Sequence, residues 1–142
     1  MSAPLYNRDI LALAVALADY PRLEAPGYSG ELRAPLCGSR IALDLDCAGA
    51  GGVTGVGMAV QACALGQAAA TLFARGAVGQ TAADLAATHR ALADWLGGSS
   101  AAPPEWPGIA ILAPARDYPA RHAAILLPFA LAAQLTRVVT PA

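Results

Sequence analysis

Residues 61–76 read QACALGQAAATLFARG, and they set a cysteine, Cys63, between an apolar run and an alanine-rich run. The run before Cys63 has the character of a strand, whereas the alanine-rich run after it favours a helix. Cys63 would then face the amino end of that helix, where the partial positive charge stabilises a thiolate. The alternative is simple packing, because free cysteine is also a common core residue.

Upstream of this junction the sequence predicts a small sheet. The segment SRIALDLD, residues 39–46, alternates apolar and polar side chains, which is the period of a half-buried strand. The glycine-rich CAGAGG, residues 47–52, predicts a turn, and VTGVGMAVQA, residues 53–62, a returning strand. With a short strand over 31–34, these segments predict a three-stranded antiparallel meander.

Helical patterns flank the predicted sheet on both sides. Four helices are expected: one capped by Asn7 and ended by Pro21, one over 63–75 closed by Gly76, one from Thr81 to Gly97, and one over 117–135 kinked at Pro128. A chain of 142 residues builds one core of respectable size. We therefore expect an α+β fold, with a leading helix, the sheet and then helices, in a single domain over residues 1–142.

Composition excludes several classes of function. The net charge is −1, and the nine basic residues form no block. The sequence therefore lacks the basic cluster that is typical of nucleic-acid-binding proteins. The longest uncharged apolar run, 123–133, is about half the ~20 residues that a bilayer needs. The first ten residues lack the basic flank and apolar block of a signal peptide, which favours the cytoplasm. Three cysteines without paired spacing favour free thiols over disulfides.

The predicted meander decides which thiols can meet. Cys37 lies in the turn that joins the first strand to the second, and Cys63 follows the end of the third, so both belong to one end of the sheet. The second strand would carry Cys47 roughly 26 Å away, to the opposite end, at about 3.3 Å per residue. Cys37 and Cys63 are therefore the candidate pair, and Cys47 is a turn residue outside it.

At these positions the sequence resembles a known family. PLCGSR, AVQACALGQAAATL and PARHAAIL, taken in this order, are similar to motifs of the IscU/NifU/SufU iron–sulfur cluster assembly scaffolds, and the match spans nearly the whole chain. The resemblance implies a SufE/NifU-like arrangement in which three liganding regions meet at one end of the sheet. It also implies that Cys37, Cys63 and His122 bind the metal or cluster.

The departures from the family pattern matter equally. Ser39 stands where the family has an aspartate, and Ala62 where it has a glycine. The third family cysteine is an alanine: Ala123 if His122 anchors the alignment, or Ala124 if YPAR does. We prefer Ala123, because HAAIL keeps the flanking apolar pattern in step. Two thiolates and one imidazole would remain, one donor short of a closed tetrahedral site.

The resemblance implies a scaffold: a cysteine desulfurase delivers sulfur, iron joins it, and a [2Fe-2S] cluster passes to recipient apoproteins. Zinc is an alternative occupant, and a homodimer that shares one cluster is a further option. A persulfide relay of the SufU or SufE kind and a degenerate partner of the desulfurase are the alternative functions. No motif for substrate turnover, phosphate binding or dinucleotide binding is visible, so we expect a protein that is not an enzyme, with neither nucleic acid nor membrane as partner.

Overall fold

The computed structural model describes residues 5–49 and 51–138. Residues 1–4, on which the expectation about a signal peptide partly rests, Ala50 of the predicted turn and residues 139–142 lie outside the described residues. The elements are α1 (Arg8–Ala16), β1 (Tyr28–Arg33), β2 (Arg40–Cys47), β3 (Val53–Gln61), α2 (Ala64–Ala77), α3 (Ala82–Gly97) and α4 (His122–Thr136), with 3-10 segments at Leu17–Asp19, Ile109–Asp117 and Pro119–Arg121. The predicted α+β order is confirmed. Among the described helices, none has the length and apolar character to cross a bilayer.

The sheet is the predicted antiparallel meander, in the order β1-β2-β3. Leu43 in the central strand pairs with Gly30 of β1 and Met58 of β3. The apolar residues of β2 alternate as expected, since Ile41, Leu43 and Leu45 are at most 2% exposed. This inner face packs on α4 and α2, so the core lies between the sheet and the helices.

Strand β1 lies a few residues earlier than the predicted 31–34. The amide of Ala34 donates to the Ser39 carbonyl at 2.8 Å, and the Ala34 carbonyl accepts from the Gly38 amide at 3.0 Å. Ala34 therefore closes the turn between β1 and β2 instead of extending the strand. Helix α1 is capped by the Asn7 side chain, as predicted, and continues as a 3-10 segment that ends before Pro21.

Gly76 lies inside α2 and does not end it, contrary to the sequence-based expectation. The Trp106 ring packs over this position, and a Cβ at Gly76 would lie 2.5 Å from Trp106 Cε2. The same indole donates its N–H to the Leu72 carbonyl at 2.8 Å and stacks on Phe73. Glycine is required here because the segment between α3 and Ile109–Asp117, which contains Trp106, folds back onto α2. The local sequence pattern does not reveal this tertiary contact.

Helix α3 begins with a reciprocal capping box between Thr81 and Asp84 and ends at Gly98, whose φ is +90°. Both ends agree with the sequence pattern within a residue. Helix α4 starts only at His122, because two 3-10 segments occupy the part of 117–135 that precedes it. Pro128 lies inside α4, and the kink expected there stays a prediction.

The outer face of the sheet is partly covered by the segment that follows α1. The Tyr20 carbonyl accepts from the Met58 amide at 3.0 Å, along the free edge of β3. A Cβ at Gly57 would collide with the Pro21 carbonyl, so glycine permits this close approach. Asp44 lies beneath the segment with no exposed surface, although its place in the alternating strand predicts a solvent-facing side chain.

Candidate functional site

Three segments of the chain meet at one end of the sheet and enclose an open cavity of about 280 Å³. The β1–β2 turn contributes Cys37, the junction of β3 with α2 contributes Cys63, and the start of α4 contributes Arg121 and Ala124. The structure thus brings Cys37 and Cys63 together, as the strand order predicts. Gly38, Ser39, Gln61, Ala62 and Ala120 complete the lining.

Cys37 lies at the tip of its turn, where Gly38 has a φ of +72° and so adopts a left-handed conformation. The Cys37 side chain is exposed, and its thiol donates to the buried Ser39 hydroxyl at 3.3 Å. When the thiol is ionised, the Ser39 hydroxyl can donate to the thiolate instead. Hydrogen bonding from the Ser39 side chain, and then from its backbone, lowers the pKa of the Cys37 thiol, and the charge of Arg121 acts in the same direction. An exposed thiol that ionises readily is a suitable nucleophile or metal ligand.

Cys63 is the N-cap residue of α2, with φ −64° and ψ 168°. Its side chain makes no capping hydrogen bond, and it is half-buried beside the positive end of a 14-residue helix. Tyr6, just before α1, is the neighbour that sequence pattern did not identify. Burial, and then a hydrogen bond with the Cys63 side chain, raises the pKa of Tyr6. Nothing in the local sequence signals this long-range contact.

Ala124, and not Ala123, lies beside the two cysteines. Ala124 is 3% exposed and lines the cavity, whereas Ala123 is exposed and does not line it. Gly66 in α2 allows the close approach, because a Cβ at Gly66 would lie 3.3 Å from the Ala124 Cβ. The expectation that Ala123 lies at the site is therefore wrong, whereas the assignment of the third family cysteine to Ala123 or Ala124 stays a prediction.

The structure does not bring His122 into this cavity. Its ring Nε2 lies 2.8 Å from the Ala115 carbonyl oxygen in the preceding 3-10 segment, and the ring is half-buried there. Cys47 is likewise absent from the lining, since it ends β2 opposite Val53. Burial, and then the charge of Asp46, raises the pKa of the Cys47 thiol. Both observations leave Cys37 and Cys63 as the metal-binding candidates at this end.

The donor set is small for a closed metal centre. Within residues 5–49 and 51–138, no group of three or more histidine, cysteine, aspartate or glutamate side chains converges to hold a metal ion. Structural zinc sites and cysteine-ligated clusters use four donors. Two thiols with a nearby serine hydroxyl do not meet that requirement, so the cavity residues described here supply two of the four donors.

Comparison with solved structures identifies relatives with this fold. The N-terminal part of a nitrogen-fixing NifU-like protein from Brucella abortus is 35% identical, with a TM-score of 0.85 over 94% of this chain and 92% of that one. A putative iron–sulfur cluster assembly scaffold protein for the SUF system from Fervidobacterium islandicum AW-1 is 19% identical, with a TM-score of 0.80 over 94% of this chain and 97% of that one. That second likeness shows the fold alone. No protein-family model and no curated protein matches the chain.

The match to the Brucella protein covers 94% of this chain and 92% of that one. At this identity and coverage the relationship is one of family and not of fold alone. The chain belongs to the family of NifU-like N-terminal domains.

Proposed function

We propose that this chain is an iron–sulfur cluster assembly scaffold formed by a single domain over residues 1–142. Its substrates are iron and the sulfur that a cysteine desulfurase delivers. Its cargo, a [2Fe-2S] cluster or the iron alone, passes to recipient apoproteins. The observation that carries the proposal is the shared cavity of Cys37 and Cys63 at the end of the sheet. Membership of the NifU-like family, and the scaffold role given for the protein that shares the fold, support it.

Cys37 and Cys63 are the proposed protein ligands. Two thiolates supply half of the donors that a cysteine-ligated cluster uses, so the others come from outside this chain: a solvent molecule, a partner, or a second copy of the chain in a homodimer. Partial coordination favours release, which suits a protein that passes its cargo on. Zinc bound by the same two thiols is the simplest metal-only occupant.

We propose that His122 does not belong to this ligand set. Its ring lies against the Ala115 carbonyl, where it joins the start of α4 to the 3-10 segment before it. We propose that this structural contact, and not ligation, is the function of His122 in this chain.

Replacing His122 by alanine should therefore affect stability and spare loading. We expect the free energy of unfolding to fall by about 1 kcal/mol, because one hydrogen bond to a backbone carbonyl is lost. Zinc affinity and sulfur loading should equal those of the wild-type protein. Urea unfolding and zinc titration of the same preparation check both values, and weakened zinc binding without a stability change would return His122 to the ligand set.

A persulfide relay is the second candidate, and the exposure of Cys37 favours it. A relay needs one accessible thiol, which Cys37 provides, and it does not need the four donors that the described residues lack. The Cys37 thiolate would attack the outer sulfur of the desulfurase persulfide, whose S–S bond breaks and releases the desulfurase thiolate. The next acceptor's thiolate would then attack the outer sulfur of the Cys37 persulfide and release the Cys37 thiolate. The two functions share the same cysteine and differ in whether iron is retained.

Anaerobic reconstitution tests the proposal. The purified chain is incubated with ferrous iron, cysteine and a cysteine desulfurase, once with dithiothreitol to reduce the delivered sulfur to sulfide and once without it. Each sample is then desalted and measured for absorption, iron, acid-labile sulfide and persulfide mass. A cluster chromophore with iron and sulfide supports the scaffold, and persulfide without iron supports the relay. A chain that retains neither would be a degenerate partner of the desulfurase, and the proposed function would be wrong.

A further inference from the structure

The outer face of the sheet carries a second, larger depression next to the cysteine cavity. Its volume is about 640 Å³, and its charged and polar lining consists of Arg22, Glu31, Arg33, Arg40 and Gln61. The lining also contains two alanines, Ala42 of β2 and Ala59 of β3, which pair across the two strands. We call this depression the arginine groove. A shallow trough with small residues along it can receive an extended chain.

The arginine groove holds positive charge that forms no ion pair with the described part of the chain, apart from the pair of Arg22 with Asp44. Arg33 and Arg40 stand directly opposite each other in the register of β1 and β2, a placement in which like charges repel. In the described part of the chain the sole ion pair is Arg22 with the buried Asp44, so neither Arg33 nor Arg40 has a carboxylate within 4.0 Å. Among the residues that line the groove, Glu31 is the one with an acidic side chain.

The groove and the cysteine cavity are neighbours on the surface. Gln61 lines both depressions, and it is the cross-strand partner of Arg40. A chain bound along Arg33 and Arg40 would therefore lie next to the cavity that contains Cys37. A positive patch beside an accepting thiol is well placed to orient a donor that carries negative charge.

We propose that the arginine groove docks an acidic segment of the protein that delivers sulfur to this chain. Carboxylates of the segment pair with the guanidinium groups of Arg33 and Arg40, and they relieve the repulsion between them. The inference rests on the proposed function, because it assigns the surface through which the sulfur donor is recognised. A protein segment is favoured over a small anion because the groove is far larger than one carboxylate needs.

Sulfur loading from two donors tests this proposal. Persulfide formation on the Arg33→Gln/Arg40→Gln variant is followed by mass spectrometry, with a cysteine desulfurase plus cysteine as one donor and cysteamine persulfide, a small donor without a carboxylate, as the other. The matched control is Arg75→Gln/Arg90→Gln, which removes the same charge from exposed positions on α2 and α3. Each rate is measured at about 20 mM and about 300 mM salt, because screening weakens exposed charge pairs.

We expect loading from the desulfurase to fall about tenfold at low salt in the groove variant, and loading from cysteamine persulfide to stay unchanged. The difference from wild type should shrink at high salt, and the control variant should load normally. Equal loss in both double variants, or no loss in the groove variant, would overturn the proposal. If wild type loads from neither donor, the proposed function itself fails, which is a distinguishable result.

Discussion

Replacing Asp44 by alanine is expected to lower the free energy of unfolding by about 3 kcal/mol, the scale seen when a buried, fully paired carboxylate is removed. Asp44 has no exposed surface, and each of its oxygens accepts two hydrogen bonds. Oδ2 accepts from Arg22 Nε at 2.6 Å and the Leu23 amide at 3.0 Å, and Oδ1 from Arg22 Nη2 at 2.9 Å and Ser29 Oγ at 2.7 Å. Urea unfolding at neutral pH measures the loss.

The same carboxylate should make stability depend on pH. Hydrogen bonding from Arg22 is the main cause that lowers the pKa of Asp44 below its ordinary value. A lowered folded pKa means that the stabilisation is present above the unfolded pKa of about 3.9 and is lost as pH falls through the folded value. The stability difference between wild type and Asp44→Asn should therefore be constant at neutral pH and shrink below about pH 4. A difference independent of pH would contradict this account.

Ser29→Ala is the matched control for the Asp44 variants. It removes one of the four donors and leaves the carboxylate with three, so the expected loss is about 1 kcal/mol. If this variant destabilised the protein as much as Asp44→Ala, the hydroxyl contact and not the buried charge would dominate.

Adding the missing cysteine should produce the largest gain in metal binding. Ala124→Cys would place a third thiol in the cavity of Cys37 and Cys63. Zinc-finger peptides bind zinc through four ligands with a free energy of roughly 10–16 kcal/mol. One added thiolate should therefore strengthen zinc binding by about 3 kcal/mol, or about 100-fold in affinity. Competition titration against a zinc chelator measures the change, and cluster lifetime after reconstitution should lengthen with it.

Ala123→Cys is the control, since Ala123 is exposed and outside the cavity. It should leave zinc affinity unchanged. A second step, Ser39→Asp in the Ala124→Cys background, should tighten binding again, because it supplies the carboxylate that the family pattern has at this position. Tighter binding in Ala123→Cys with none in Ala124→Cys would mean that the geometry of α4 at the site is wrong.

The fold was largely predictable because its signals are local. Strand β2 carries a strict alternation, α3 begins with a complete capping box, and the glycine-rich turn after β2 forces the chain back. Pairing of consecutive antiparallel strands then follows from short connections. The position of Cys37 and Cys63 at one end, with Cys47 excluded, is a consequence of that topology.

Residues whose role depends on long-range packing were not predictable. The rotation of α4 about its axis decides whether Ala123 or Ala124 faces the cavity, because successive residues of a helix differ in direction by about 100°. This rotation follows from the two 3-10 segments before α4, for which the sequence gives no signal. The burial of Asp44 depends on a segment about 20 residues away in sequence that crosses the outer face. The sequence likewise suggests a helix end at Gly76, whereas glycine is needed there for contact with Trp106, which lies about 30 residues further along the chain.

The most direct test of the central claim, that Cys37 and Cys63 form the iron–sulfur site, is the sulfur and iron retained per chain by Cys37→Ser/Cys63→Ser after anaerobic reconstitution. Circular dichroism confirms that the variant is folded, and Cys47→Ser is the matched control. The account predicts background loading for the double variant and wild-type loading for Cys47→Ser. Wild-type loading of the double variant, with loss in Cys47→Ser, would contradict it.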